Sequence, residues 1–231
     1  MALILLIETS ASVLSVALSR DGAAQLERVC TEPRMQASLT APLVKEVLDG
    51  AGITLADCDA VAVSAGPGSY TGLRVGVSTA KGLCFGAGKP LIAVGTLDII
   101  ARSPMTGVMA DSDRPSYIVP MLDARRMEVY TAVYTPDGER ITPVEALVVE
   151  EGSFGKYLEE GKVLFIGDGA LKCKAVIGHP NAVFQEAQPL ARNMAALAEE
   201  RYKAGLFEDL AYYEPFYLKD FVTTVSRKKL W

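Results

Sequence analysis

The chain has 231 residues, half of them hydrophobic, so it is long enough to bury a sizeable core in one large domain or two small ones. Its net charge of −5 argues against direct nucleic-acid binding, because affinity for phosphate backbones comes mainly from lysine and arginine. No hydrophobic run reaches the roughly 18 residues of a membrane helix, and Glu8 interrupts the first run too soon for a secretory signal; we therefore expect a cytoplasmic protein without a membrane span.

Three β-prone runs open the chain, joined by short polar segments. The dipeptide Asp21-Gly22 separates the second run from the third and is a strong hairpin-turn signal. We therefore expect an antiparallel meander, with strands at residues 3–8, 13–19 and 24–31.

A helical pattern follows at residues 36–49, where Leu39, Leu43 and Val47 recur at helical spacing. Pro42 falls inside this pattern and should bend the helix, unless the helix begins only there. Further elements of the first half are a strand at residues 90–94 and a short helix after Thr96.

The central segment, residues 60–88, reads as strand, tight Gly-Pro loop and helix, with Ser69 at the helix N-cap. Inside the helix Gly72, Gly76 and Ala80 recur every four residues. A glycine within a helix costs roughly 0.5–1 kcal/mol relative to alanine, so we expect a close packing contact that offsets this loss. The contact can be with the chain's own sheet, with another protein, or with a phosphate at the loop; no P-loop or dinucleotide fingerprint supports the last.

Of these alternatives, our main hypothesis is a protein–protein contact. We predict that its centre is formed by Gly72, Gly76 and Ala80 of the second helix, together with Leu39 and Leu43 of the first.

The second half repeats the theme loosely after a boundary rich in proline, glycine and aspartate at residues 102–115. We expect strands at residues 117–122, 127–134, 144–149 and 163–166 and a helix at residues 189–203. These elements suggest an N-terminal lobe, residues 1–105, and a smaller second lobe with a C-terminal extension, residues 106–231, with the helical region 189–204 packed at the junction. The closing aromatic segment, residues 212–221, should lie across a surface, and the basic run at 227–229 should be a solvated tail.

The cysteines and the histidine limit the chemistry. No CxxC spacing occurs, so we expect reduced, mostly structural cysteines. The one histidine, His179, would be the only base for a Ser-His-Asp triad, and no Gly-x-Ser-x-Gly elbow exists. We therefore assign no catalytic residue. The four cysteines are Cys30, Cys58, Cys84 and Cys173.

Five collinear blocks resemble one known family, the TsaB (YeaZ) family. The most characteristic block is GPGSYTGLRVGVSTAKGL at residues 66–83. The others are LLIETSASVLSVAL at 5–18, LDAR with EVY at 122–130, IGDGA at 166–170 and EPFYLKD at 214–220.

The resemblance implies a fold and a function. The fold is α/β and actin-like (ribonuclease-H-like), with two lobes built on mixed sheets flanked by helices. The function is that of a non-catalytic subunit of the bacterial machinery that adds threonylcarbamoyl to the adenosine 3′ of the anticodon in tRNA. In that machinery the catalytic paralogue TsaD is the main partner, the ATPase TsaE joins the pair, tRNA is contacted through the complex, and the subunit alone forms a homodimer.

Actin-like enzymes hold a nucleotide between their lobes, which suggests six cleft candidates. No glycine near Thr9 allows close approach to a phosphate, so Glu8 and Asp168 can equally be turn and capping residues. We expect no cofactor bound by the chain alone, although a nucleotide at the partner interface stays open. The six candidates are Glu8, Thr9, Ser69, Asp123, Arg125 and Asp168.

TsaD binds a metal through a His-x-x-x-His pair, and this chain has only one histidine, with Gln36 where many TsaB proteins carry another. We therefore expect no metal site. Two other functions stay open: a stand-alone actin-fold kinase or hydrolase, and a homodimeric interaction protein that uses the two helices at 36–49 and 70–86.

Overall fold

The computed structural model describes residues 2–103 and 114–219, which form two lobes, each built on a five-stranded mixed sheet. Mixed sheets flanked by helices are what the sequence predicts. The predicted lobe boundary after residue 105 and the basic run at 227–229 lie outside the described residues. Within the described ranges, each helix is too short or too polar to span a bilayer.

The sheet of the first lobe has the strand order β3-β2-β1-β4-β5. The first three strands form the predicted antiparallel meander, and Asp21 and Gly22 turn between two of them with positive φ angles of 53° and 77°. The last two strands run parallel to β1 and to each other. The strands are β1 (Leu3–Glu8), β2 (Leu14–Arg20), β3 (Ala23–Cys30), β4 (Ala60–Gly66) and β5 (Leu91–Gly95).

Helices cover both faces of this sheet. On one face lie α1 (Gln36–Ala51) and α2 (Tyr70–Ala87); α1 runs through Pro42, so the helix does not begin at the proline. On the other face Met194, Ala195 and Ala198 pack against β1 and β4. They belong to a 3₁₀ turn (Ala191–Met194) and to α6 (Ala195–Lys203), which the sequence predicts as one helix at the lobe junction. In the structure this segment covers one face of the first sheet.

The second lobe repeats the connectivity of the first, with the strand order β10-β9-β6-β7-β8. An antiparallel meander of three strands is again followed by two parallel strands. Three short elements here, β10, α4 and α5, were not predicted. The elements are β6 (Tyr117–Asp123), β7 (Glu128–Thr131), β8 (Glu145–Val148), α4 (Gly155–Glu160), β9 (Val163–Ile166), α5 (Ala170–Cys173) and β10 (Ala182–Gln185).

The junction between the lobes is formed by α3 (Thr96–Ala101). Leu97 and Ile100 of this helix pack among buried side chains of β6 and β9. The hydroxyl of the fully buried Tyr134 donates a hydrogen bond of 2.7 Å to Asp98 Oδ1. The two sheets are therefore joined by an apolar core and by the hydrogen bond between Tyr134 and Asp98.

The C-terminal segment of the described chain, residues 208–219, runs back across the first lobe, and we call it the strap. Its backbone donates from Glu208 to the Leu91 carbonyl (2.9 Å) and from Phe216 to the Ala65 carbonyl (2.7 Å). Lys81 Nζ donates to the Tyr213 carbonyl at 3.0 Å. The prediction that the aromatic closing segment lies across a surface is confirmed for its described part.

Candidate functional site

The glycines of the central segment pack against the chain's own first hairpin. A Cβ atom added at Gly72 would lie well under 3.0 Å from the carbonyl oxygen of Thr9, and one at Gly76 would lie equally close to Thr9 Oγ1. At Gly68 the same collision would involve the carbonyl of Ser10, which accepts the Ser69 N–H at 2.7 Å. The absence of side chains at these glycines lets α2 approach the backbone of residues 9–10.

The predicted partner interface is therefore wrong at its centre. Gly72 and Gly76 are buried against the hairpin, and Ala80 is fully buried in the core beneath α2. Leu43 belongs to the same core, while Leu39 is half-buried against it. The helical spacing of the small residues correctly predicted a close contact. Our main hypothesis placed that contact at another protein, whereas it lies within this chain.

Glu8 ends β1 inside this packed region. The side chain is fully buried, and its Oε1 accepts hydrogen bonds from the backbone N–H (2.6 Å) and the hydroxyl (2.5 Å) of Ser10. Burial raises the pKa of Glu8 to about 7, although the hydrogen bonds from Ser10 and Ser64 oppose the rise. In the described part of the chain, Glu8 Oε2 and Thr9 Oγ1 have no hydrogen-bond partner. Glu8 and Thr9 thus lie beneath the hairpin surface.

An open cleft of about 690 Å³ lies between the lobes. Four of the six predicted cleft residues line it, and the buried Glu8 and Thr9 do not. Ser69 has two roles, because its hydroxyl also accepts the Gly72 N–H at 3.3 Å and so caps α2 as predicted. The four lining residues are Ser69, Asp123, Arg125 and Asp168.

The second-lobe wall of the cleft carries a charge network. Asp123 forms an ion pair with Lys172, and its Oδ1 accepts the Arg125 N–H at 2.8 Å. Burial favours a higher pKa for Asp123, but these contacts outweigh it and the pKa lies below its ordinary value. The opposite holds for Asp168, whose pKa is raised mainly by burial; its Oδ1 accepts the Asp123 N–H at 2.9 Å. The pKa values of these two neighbouring carboxyl groups are therefore shifted in opposite directions by their surroundings.

The strap completes the cleft wall, which the sequence did not predict. The Tyr217 ring lies 4.9 Å from the Tyr70 ring, centroid to centroid, and Lys219 forms an ion pair with Glu128 of β7. Arg34, in a left-handed backbone conformation with φ of 66°, lines the cleft on the first-lobe side. The block EPFYLKD pointed to this segment but not to its place beside the cleft.

Few side chains in the described part of the chain are suited to metal binding or to thiol chemistry. No group of three or more histidine, cysteine, aspartate or glutamate side chains is placed there to hold a metal ion. His179 lies in the second lobe, and its Nδ1 accepts the Asn181 N–H at 3.2 Å. The cysteines form no disulfide, and burial raises the pKa of Cys58 and of Cys84 to about 11.

The outward face of α2 is a second feature of functional interest. Phe85 is 85% exposed. Gly82 and Gly86 flank it, and a Cβ atom added at either glycine would have nothing within 4 Å. Glycine at these two positions lowers helix stability relative to alanine, and no internal packing contact offsets that loss.

Comparison with known proteins agrees with the sequence resemblance. A protein-family model described as TsaD, tRNA N6-adenosine threonylcarbamoyltransferase, matches residues 34–225 of this chain. A relative from Escherichia coli (strain K12), named tRNA threonylcarbamoyladenosine biosynthesis protein TsaB, is 30% identical over 98% of this chain and 97% of its own length.

Solved structures agree with the fold. YeaZ from Pseudomonas aeruginosa has a TM-score of 0.80 at 28% identity and covers 94% of this chain and 100% of that chain. The activator of the 2-hydroxyisocaproyl-CoA dehydratase from Clostridium difficile, solved with bound ADPNP, has a TM-score of 0.50 at 10% identity, with 88% of this chain and 96% of that chain covered. The second likeness concerns the fold alone, and the predicted actin-like class is confirmed. Because the E. coli TsaB relative is 30% identical and matches nearly the whole length of both chains, this chain belongs to the TsaB (YeaZ) family.

Proposed function

We propose that this chain is a non-catalytic subunit of the bacterial system that makes threonylcarbamoyladenosine in tRNA, and that it supports a TsaD-like paralogue that transfers the group to the adenosine 3′ of the anticodon. The observation that carries the proposal is the burial of Glu8 and Thr9 beneath Gly72 and Gly76. In an actin-like enzyme this hairpin would present an acidic residue and donors to a phosphate. Here Thr9 faces α2 and Glu8 is fully buried beside it, so the acidic residue does not reach the cleft, which the hairpin lines with Ser10, Ala11 and Ser12 instead.

The state of Glu8 supports the same proposal. A carboxyl group whose pKa is raised to about 7 is partly protonated near neutral pH and is a poor ligand for a divalent metal ion. We therefore propose that the chain has no cofactor of its own, and that any nucleotide is held at the interface with the partner. The alternative of a stand-alone kinase or hydrolase has no support from the family match.

The docking face that we propose is the outward side of α2 around Gly82, Phe85 and Gly86, and its occupant is the corresponding helix of the TsaD-like paralogue. The family model of the transferase itself matches this chain, so the two proteins share an equivalent helix that can pack in a pseudo-symmetric pair. Glycines without internal contacts allow two helix backbones to approach closely, and Phe85 supplies an apolar anchor.

A transfer assay tests the catalytic part of this proposal. Purified chain, TsaD and TsaE are combined singly and together with unmodified tRNA and threonylcarbamoyl-AMP, and the modified nucleoside is quantified. We expect no product from the chain alone and product only when TsaD is present, increased by adding the chain. Product formed by the chain without TsaD would overturn the proposal.

A capture experiment tests the docking face independently. Phe85→Ala should weaken binding to immobilised TsaD by about tenfold or more, because a buried aromatic anchor contributes at least about 1.4–2 kcal/mol. Tyr212→Ala is the matched control, since Tyr212 is an equally exposed aromatic residue (84%) on the strap. Equal affinity of Phe85→Ala and wild type would remove the docking face from the proposal.

The remaining partners follow from the same proposal. We propose that a TsaE-like ATPase joins the pair, that tRNA is contacted only through the complex, and that the chain alone forms a homodimer through the outward face of α2. A protein that acts on tRNA in bacteria would work in the cytoplasm.

A further inference from the structure

Three arginines lie at the mouth of the interlobe cleft. Arg34 lines the cleft on the first lobe and Arg125 lines it on the second. Arg126 follows at the corner between β6 and β7, and all three residues are exposed. None of the three guanidinium groups forms an ion pair with a carboxylate of the described residues. Their charges are therefore available to a partner.

The carboxylates of the cleft do not cancel this positive charge. Asp123 forms an ion pair with Lys172, and Lys219 forms one with Glu128, so each of these pairs is neutral overall. The other carboxylate that lines the cleft belongs to Asp168, which is half-buried and accepts the Asp123 N–H at 2.9 Å. The cleft mouth therefore has an excess of positive charge, although the whole chain carries a net charge of −5.

The backbone at these three arginines is strained. The φ angle is 66° at Arg34, 75° at Arg125 and 50° at Arg126. Left-handed backbone costs roughly 1–2 kcal/mol for a residue with a Cβ atom, whereas glycine adopts it without this cost. Strained backbone of this kind clusters at functional sites. The strain and the unpaired charge therefore occur at the same three positions.

Aromatic rings line the same cleft beside these arginines. Tyr130, Phe216 and Tyr217 belong to the lining, and the Tyr217 ring lies 4.9 Å from the ring of Tyr70. Cations that contact phosphates next to rings that stack on bases are the combination with which proteins bind single-stranded nucleic acid. The rings lie in a concave cleft, so they are poorly placed to insert into a bilayer surface. An acidic peptide would use the arginines but not the rings.

We propose that the cleft mouth binds a single-stranded segment of RNA, with phosphates at Arg34, Arg125 and Arg126 and an unstacked base against Tyr217. This inference rests on the proposed function, in which a TsaD-like partner holds the same RNA. Phe85, in the docking face, lies about 22 Å along α2 from the end of the helix that borders the cleft. The partner and the RNA therefore occupy separate surfaces of this chain.

Three phosphate contacts are too few for tight binding by the chain alone. Each neutralised phosphate of a single strand contributes about 0.7 to the slope of log K against log salt concentration, so three contribute about 2. At 0.1 M salt this corresponds to a dissociation constant of about 10 mM, and one stacked base improves it only to the range of about 0.1–2 mM. The contact therefore becomes effective only in the complex, where the partner holds the RNA nearby.

The salt dependence of RNA binding tests the proposal on the reconstituted complex of this chain with TsaD and TsaE. Labelled unmodified tRNA is titrated at NaCl concentrations from about 50 to 200 mM. Arg34→Gln, Arg125→Gln and Arg126→Gln should each reduce the slope by about 0.7 and weaken binding about fivefold at 0.1 M salt. Arg34→Lys keeps the charge and should keep the slope.

Two further variants separate charge from stacking and from general effects. Tyr217→Ala should weaken binding without changing the slope, because it removes a stacking surface but no charge. Arg20→Gln is the matched control, since it removes the same charge from an exposed residue opposite Leu3, at the end of β1 remote from the cleft. It should bind tRNA like wild type.

Several results would overturn the inference. These are unchanged slopes in all three arginine-to-glutamine variants, an equal loss in Arg20→Gln, and equally strong competition by poly-L-glutamate or by phosphatidylserine vesicles. The transfer assay run on the same samples separates this failure from failure of the proposed function. If the chain increases product formation by TsaD but the slopes are unchanged, only the RNA contact is wrong; if the chain has no effect on product, the proposed function is wrong.

Discussion

The contact between α2 and the first hairpin leads to our most specific prediction, which concerns Gly72→Ala. The added methyl group would point at the carbonyl oxygen of Thr9, at less than 3.0 Å. This oxygen belongs to backbone that follows a fully buried strand, and its neighbours Glu8 and Ser10 are buried as well. Backbone held in this way cannot move aside as a flexible side chain can, so the helix must shift.

Two effects of opposite sign set the change in the free energy of unfolding that we expect for Gly72→Ala. Alanine in place of a helical glycine stabilises by up to about 1 kcal/mol. Overpacking a well-filled interior costs about 1–3 kcal/mol, and the rigid backbone acceptor places this site at the upper end. The free energy of unfolding of Gly72→Ala should therefore be lower than that of wild type by about 2 kcal/mol. For a chain of this length, this loss lowers the melting temperature by about 4–8 °C.

Thermal and urea unfolding of the isolated chain measure this change, with Gly82→Ala as the matched control on the same helix. Because nothing lies within 4 Å of the methyl group at position 82, this control should be more stable than wild type by up to about 1 kcal/mol. The two substitutions are chemically identical and should shift stability in opposite directions. A Gly72→Ala protein as stable as Gly82→Ala would refute the packing account of the glycine pattern.

A second variant pair separates side-chain from backbone collisions. At Gly76 the nearest obstacle is the hydroxyl of Thr9, not its backbone. Thr9→Ala should therefore recover part of the stability lost in Gly76→Ala but none of that lost in Gly72→Ala. Equal recovery in both double variants would contradict the geometry.

Three further outcomes are expected. Burial raises the pKa of Glu8 from 4.5 to about 7, so its contribution to stability is complete below about pH 4.5 and is lost as the pH rises through about 7, by about 3 kcal/mol in total. Glu8→Gln should remove this loss in urea unfolding across the same pH range, and an unchanged slope would contradict the assignment. Tyr134→Phe removes the hydrogen bond to Asp98 and should lower the unfolding free energy by about 1.5–3 kcal/mol in urea titration; an unchanged value would show that this contact does not hold the lobes. ATP should bind the isolated chain no tighter than about 1 mM by calorimetry, and a micromolar constant would support an enzymatic role instead.

Local signals in the sequence were sufficient for most of the first lobe. The Asp21-Gly22 turn, the Ser69 cap and the alternation of glycine with apolar residues in α2 act within a few residues of chain, and the structure contains each of them. The short elements β10, α4 and α5 were missed because runs of four to six residues carry too little periodicity to separate them from loops.

The sequence by itself predicted that α2 is approached closely at Gly72 and Gly76, because a glycine inside a helix costs stability that a close packing contact offsets. It could not determine what approaches. The answer is a backbone segment, residues 9–10, more than 60 positions before Gly72 in the chain, and no local pattern encodes a contact over that separation. The same holds for Glu8, an ordinary acidic residue in the sequence: only the pairing of β1 between β2 and β4, with α2 above it, buries its carboxyl group and raises its pKa. The burial of a side chain, and the pKa shift that burial causes, depends on which distant segments of the chain pack together. Only the tertiary structure therefore decided whether Glu8 and Thr9 lie in the cleft or beneath its surface.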